Sequence, residues 1–163
     1  MKQRNIARFS LLVALAMVLS WLESMVPVSA AVPGVKLGLT NLVVIFALYR
    51  LSARDAAVIS FVRVLLVSMT FGNAYAFAYS LAGAALSLMV MIILKKTDIF
   101  SAVGVSIAGG VCHNIGQILV AVLILETGRL VFYLPVLMVS GVVSGIVIGV
   151  VGAMLVKRIP LTG

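Results

Sequence analysis

Negative charge is nearly missing from this chain. Its 163 residues include four acids, Glu23, Asp55, Asp98 and Glu126, scattered along the length. A carboxylate cluster of the kind that holds magnesium on a diphosphate is therefore absent. Cysteine occurs once, as Cys112, which excludes an internal disulfide and a Cys-based zinc site. Cys112 stands in an apolar, glycine-rich stretch and reads as a small packing residue. Histidine also occurs once, as His113, too few for a typical zinc site. A Ser-His-Asp arrangement would need an acid near His113, and the sequence supplies none. No Walker A motif is present, so the chain does not itself hydrolyse ATP. These absences argue against an enzyme and against a resident cofactor or metal.

Charge of either sign is scarce as well. Charged residues make up 10% of the chain and hydrophobic residues 64%, whereas soluble domains carry about 25% charged residues. A soluble fold of this size could not hide so much apolar surface in one core; lipid as the solvent removes the difficulty. The expected fold is an all-α integral membrane protein, one compact transmembrane domain over residues 1–163. The net charge of +8 fits basic residues flanking membrane helices. It is not arranged as a basic stripe interleaved with aromatics, so no nucleic-acid partner is expected.

A bilayer core about 30 Å thick needs about 20 helical residues. Six apolar runs fit, near 6–26, 37–51, 56–71, 74–94, 99–125 and 130–156, the second of them short. The start also resembles a secretory signal, with Lys2, Arg4 and Arg8 before an apolar core and Val28-Ser29-Ala30 like a cleavage site; a retained first helix is the reading adopted. Lys2, Arg4, Arg8, Arg50, Arg54, Lys95, Lys96, Lys157 and Arg158 fall on one side of this topology, and Lys36 and Arg129 on the other. Basic loops stay inside, so both termini are expected in the cytoplasm, which requires an even number of spans. The twelfth basic residue, Arg63, lies inside a span, away from either side.

Segment 27–36 contains Pro27, Pro33 and Gly34 and so cannot be a regular helix. It is too apolar for a free loop and is expected to fold over the outer end of the bundle as a lid. Small residues recur every four positions at Gly141, Gly145 and Gly149, and at Ala16, Ser20 and Ser24. Such stripes let helix backbones approach closely, either inside the bundle or against another membrane protein.

Ionisable residues at membrane depth are costly and mark candidate sites. Arg63 has two readings: it binds a ligand, or it forms a structural ion pair, Glu23 being the available acid. His113 and Gln117 are four apart and share a helix face; Asn114 adjoins them, and Gly109 and Gly110 precede them. Together they read as a cavity wall, although a single polar residue there could serve a helix–helix hydrogen bond. Lys36, Thr40 and Asn41 form a third group at the start of the second run. A helix N-terminus carries partial positive charge and free N–H groups, which Lys36 would reinforce. Asn73, Tyr75 and Tyr79 lie at a similar outer level, as does Arg129. The pattern suits an outward-facing pocket for an anionic or phosphorylated small molecule with an apolar part.

The stretch Pro33-Gly34-Val35-Lys36-Leu37-Gly38-Leu39-Thr40-Asn41 resembles the signature of the family labelled heptaprenyl diphosphate synthase component I, also called the Gx transporter family. Gly109-Gly110-Val111-Cys112-His113-Asn114-Ile115-Gly116-Gln117 resembles its second signature. That family is similar to the substrate-binding S components of energy-coupling factor transporters. The resemblance implies a six-helix subunit of a bacterial plasma membrane whose ligand sits in the outer half, beneath the loop joining helices one and two. It implies a coupling transmembrane subunit and cytoplasmic ATPases as partners, beside membrane lipid. It further implies docking through small residues four apart in the first helix, which Ser10 and Ala14 match. The expected function is thus a membrane subunit for uptake of a small anionic cofactor or isoprenoid precursor. The alternative is a non-transporting accessory subunit of isoprenoid or quinone synthesis, for which the family label and the glycine stripe are the motives.

Overall fold

The computed structural model describes residues 2–25 and 38–159, with side chains from residue 6 onward. These residues form six α-helices and one short 3₁₀ segment, with no strand among them. We number the helices α1 (Lys2–Met25), α2 (Asn41–Arg50), α3 (Ala53–Phe71), α4 (Ala74–Lys96), α5 (Ala102–Leu125) and α6 (Leu134–Arg158); the 3₁₀ segment Gly128–Tyr133 joins the last two. The all-α bundle expected from composition is present.

Local chemistry explains several boundaries. Ser52, Asn73 and Ser101 each precede a helix in extended conformation. Each accepts a hydrogen bond from the backbone N–H three residues on, at Asp55, Ala76 and Gly104. This is the N-cap arrangement that satisfies an otherwise orphaned donor. The Ser52 hydroxyl also donates to the Asp55 carboxylate at 2.7 Å, which places a negative charge in the first turn of α3 where the helix dipole favours it. Pro135 stands in the first turn of α6, where a missing N–H costs nothing. Lys95, Lys96, Lys157 and Arg158 occupy the last turns of α4 and α6, the favourable end for cations.

Among the described residues four segments are long and apolar enough to cross a membrane: Ile6–Met25, Ala74–Lys96, Ala102–Leu125 and Gly128–Arg158. The other two of the six expected spans fall outside this set. Over α3, 19 residues reach about 28 Å at 1.5 Å per residue, but the helix carries Arg54, Asp55 and Arg63. Helix α2 has ten residues and reaches about 15 Å, half of a 30 Å hydrocarbon core. It is also the most enclosed element, since Val43 to Leu48 are buried without interruption. A helix apolar on every face belongs inside a bundle.

Packing follows from this. Helices α3, α4, α5, α6 and α2 contact one another in a closed ring, and α1 lies against α3 and α2. The core gathers around α2: Ile45 and Leu48 meet Ala16 of α1, Ile59 of α3, Met91 of α4 and Val105 of α5. Two cations tie one end of the ring. Lys95 Nζ donates to the Leu48 carbonyl and stands 5.0 Å from the Tyr49 ring centre, and Arg50 donates to the Val156 carbonyl.

The outer surface is apolar to a degree that water would not tolerate. Leu11, Ile99, Leu123 and Phe132 are among the most exposed side chains, Phe132 at 84%. Such a surface is matched to lipid.

The glycine stripe of α6 is used inside the chain. A methyl group added at Gly141 would stand 3.0 Å from the Gly110 carbonyl group. One at Gly145 would stand 2.6 Å from the Ile107 Cα, and one at Gly149 2.8 Å from the Val103 Cα. All three glycines are buried. The backbone of α5 thus lies against the face of Gly141, Gly145 and Gly149 that was expected to serve either packing or docking. The Ala16 and Ser20 pair of α1 likewise faces inward, and the Ser20 hydroxyl donates to its own helix at the Ala16 carbonyl. Ser10 and Ala14 lie on the exposed face of the same helix.

Candidate functional site

The start of α2 is a tight turn set by Gly38, whose φ of 72° is one that glycine adopts without strain. The turn closes with Asn41 N–H donating to the Gly38 carbonyl at 2.8 Å. Leu42 and Val43 N–H groups donate to Leu39 and Thr40 carbonyls at 3.2 Å. The first N–H groups of α2 are thus satisfied locally. The free donors expected at this helix start are already taken, by i to i−3 bonds of the kind that tighten a helix end.

The turn makes its longer-range contacts with α1 and α3. Gly38 N–H donates to Glu23 Oε1 at 2.6 Å, so the last turn of α1 holds the turn that opens α2. The Thr40 hydroxyl, 2% exposed, does not cap α2; it accepts a hydrogen bond from Arg63 Nη1. Glu23 lies within electrostatic reach of Arg63. Carboxylate, amide, hydroxyl and guanidinium therefore meet at the junction of α1, α2 and α3. Arg63 is the eleventh residue of a 19-residue helix, near the midpoint of the bilayer if α3 crosses it. One donor of this group, Arg63 Nε, is buried and has no hydrogen-bond partner.

The second group is divided between two seams. A methyl group at Gly83 of α4 would stand 2.7 Å from the His113 carbonyl oxygen, 2.8 Å from Gln117 Cγ and 3.1 Å from His113 Cε1. His113 and Gln117 therefore share one face of α5, as their spacing requires, and that face lies against α4. Asn114 turns the other way. Its Nδ2 donates to the Leu137 carbonyl at 2.6 Å, and the residue is buried. Here the amide ties α5 to α6, the helix–helix role that a single polar residue serves in a membrane.

The remaining candidates lie at the edges. Asn73 is exposed, and its side-chain oxygen caps α4 through Ala76 N–H at 2.9 Å. Tyr75 is 60% exposed and Tyr79 half-buried one turn further into α4. Asn41 is half-buried at the first position of α2. Lys36 and the expected lid 27–36 lie outside the described residues. Among the described residues no group of three or more His, Cys, Asp or Glu could hold a metal ion. The role of Gly38 was not singled out by sequence reasoning beyond its place in the signature. Its signal was a glycine three residues before the start of an apolar helix, the expected form of a positive-φ turn.

The model of heptaprenyl diphosphate synthase component I matches residues 12–155. The chain belongs to that family. The match runs from the middle of α1 to the last turn of α6, so it takes in both signature stretches and every described residue of the candidate site. No curated protein and no solved structure matches the chain. What family membership establishes is a helical membrane protein of this type; the activity has to be argued from the site.

Proposed function

We propose that this protein is the substrate-binding membrane subunit of an uptake system for a small anionic molecule, with Arg63 as the anion-recognising residue. The carrying observation is the unpartnered Nε of Arg63. Buried donors are almost always satisfied, and one that is not calls for an explanation. Burying a cation at bilayer depth is also expensive. Thr40 holds one arm of the guanidinium, which orients the group and leaves Nε for an acceptor that arrives from outside the chain. Carboxylates and phosphates are the acceptors that this planar fork suits. Glu23 balances the charge when the site is empty.

In this reading His113, Gln117, Asn41, Tyr75 and Tyr79 are secondary contacts, and Lys36 adds charge from segment 27–36. Both termini face the cytoplasm, and ATPase and coupling subunits supply the energy. The chain itself carries out no catalysis. A reporter fused to the C-terminus tests the orientation, and activity only in an externally exposed reporter rejects it.

The deciding experiment is native mass spectrometry of the purified protein, followed by affinity measurement with the molecule that co-purifies. Arg63→Gln is expected to weaken binding at least about 30-fold, the equivalent of 2 kcal/mol for a buried charged donor. Arg63→Lys keeps the charge and is expected to recover part of the loss. Equal affinity in wild type and Arg63→Gln rejects the proposal.

A second reading, an accessory subunit of prenyl diphosphate synthesis, is favoured by the description of the family itself. It places a soluble prenyl synthase on the protein in a pulldown. Recovery of ATPase and coupling subunits instead decides for transport.

A further inference from the structure

A groove of about 270 Å³ runs between α1, α2 and α6, away from the Arg63 junction. Leu12 and Leu15 of α1, Leu42 and Phe46 of α2 and Leu155 of α6 form its walls, and Arg8 lines it as well. Along α1 the distance from Arg8 to Leu15 is seven residues, about 10 Å. The Arg8 end coincides with the end of α6, since Ile159 also lines the groove. Cations gather there. Lys157 and Arg158 lie between the lining residues Leu155 and Ile159, and Arg50 reaches the same end by donating to the Val156 carbonyl. Among the described residues no acid lines the groove.

An apolar slot that opens among cations at the end of a helix bundle fits an amphiphile with a hydrocarbon chain and an anionic head. Basic sites between membrane helices on the cytoplasmic side recognise lipid headgroups on the same principle. The walls are almost wholly apolar, which suits a hydrocarbon chain that needs no hydrogen-bond partner. We propose that the groove binds an anionic phospholipid, one acyl chain lying along α1 from Leu12 to Leu15 and the phosphate beside Arg8. This site is separate from Arg63 and stands whichever proposed function holds.

The test uses the position of a tryptophan. In a Trp21→Phe background, which removes the single native tryptophan, Leu11→Trp places a reporter on the groove; Leu11 lines it and is 69% exposed. Ile93→Trp is the control, 54% exposed and three residues from Lys96, but outside the groove. Each protein is reconstituted into vesicles of phosphatidylcholine and phosphatidylglycerol, with bromine on the chains of one lipid at a time. Brominated phosphatidylglycerol is expected to quench the reporter at position 11 with about fivefold preference over phosphatidylcholine, the worth of about one cation near the surface. The control shows no such preference. Adding Arg8→Gln to Leu11→Trp is expected to abolish it. Melting curves followed through the Cys112 thiol establish that each variant is folded. Equal quenching by both lipids at position 11, the same preference at position 93, or a preference that survives Arg8→Gln overturns the proposal. So does a reporter at position 11 that neither lipid quenches, the result if a polypeptide fills the groove.

Discussion

Substituting Gly145 with alanine tests the packing on which the whole bundle depends. The added methyl group would stand 2.6 Å from the Ile107 Cα, 3.0 Å from the Ile107 nitrogen and 3.0 Å from the Ser106 carbonyl oxygen. Carbon atoms in contact sit at about 3.5–4.0 Å. The overlap is therefore about 1 Å, and its partners are backbone atoms that no rotamer change can move. Helix α6 has to withdraw from α5. Because Gly141 and Gly149 make the same close approach one turn on either side, the withdrawal loosens the seam over at least two turns. Small-to-large changes in a tight interior cost about 1–3 kcal/mol. In a chain of this size each kcal/mol moves the melting temperature by about 2–4 °C, so a fall of several degrees is expected.

The chain carries its own reporter for this experiment. Cys112 is the single cysteine and is half-buried on α5, two residues beyond the Gly110 that meets Gly141. A thiol-reactive fluorophore added during heating reads the opening of that helix. Gly128→Ala serves as the control, because a methyl group there meets nothing within 4 Å. It is expected to leave the transition in place or raise it slightly, through the lower entropy of the unfolded chain. A Gly145→Ala protein that melts with wild type refutes the claim that α5 and α6 are held by backbone approach.

Two further substitutions separate the roles of polar residues. Asn114→Ala removes the 2.6 Å bond to the Leu137 carbonyl and is expected to cost about 0.6 kcal/mol, the average for hydrogen bonds between membrane helices, and at most about 1.7 kcal/mol; the same thiol melt reads it. Unchanged anion affinity in that variant fits a tether between α5 and α6, and a loss without a change in melting assigns Asn114 to the ligand instead. Ser52→Ala removes the cap of α3 at Asp55 N–H and is expected to cost about 1 kcal/mol. Ser52→Asp, which keeps an acceptor, recovers most of that in the same melting assay.

The fold was legible where the signal was bulk chemistry. Apolar length placed α1, α4, α5 and α6, because a lipid-facing helix must be apolar over most of its surface. Helix α2 was harder. Leu37 to Leu51 reads as an apolar run, but run length says nothing about where a helix starts inside it. That depends on the turn at Gly38, a three-dimensional feature fastened by Glu23 fifteen residues earlier. The site was legible as residue types and only partly as partners. Helical spacing correctly put His113 and Gln117 on one face. Asn114, adjacent in sequence and about 100° around the helix, falls on a different seam. Sequence alone could not say which neighbour that seam would meet. The same limit applies to the α6 stripe, since a glycine ridge reads identically whether the approaching backbone is its own or another protein's.

These particulars divide the bundle into two regions with different chemistry. Around α2 the core is apolar and closed, and the cations Arg50 and Lys95 at its end donate to backbone carbonyls, although Arg50 Nε, like Arg63 Nε, is buried without a hydrogen-bond partner. Above it, where α2 begins, polar groups of three helices converge on one guanidinium with a donor to spare. A structural ion pair would be expected to satisfy that donor directly, since a carboxylate can accept two parallel bonds from arginine. Glu23 instead takes the Gly38 amide. The carboxylate is thus committed to holding the turn, and the arginine is held by a neutral hydroxyl. An arrangement that keeps the two charges close without joining them leaves the guanidinium open to a competing anion. Glu23→Gln distinguishes the cases. It keeps an acceptor for Gly38, so the turn survives, and it removes the one negative charge near Arg63. If Arg63 recognises an anion, affinity rises; if Arg63 is a structural cation needing its counter-charge, the thiol melt falls and no gain in affinity appears.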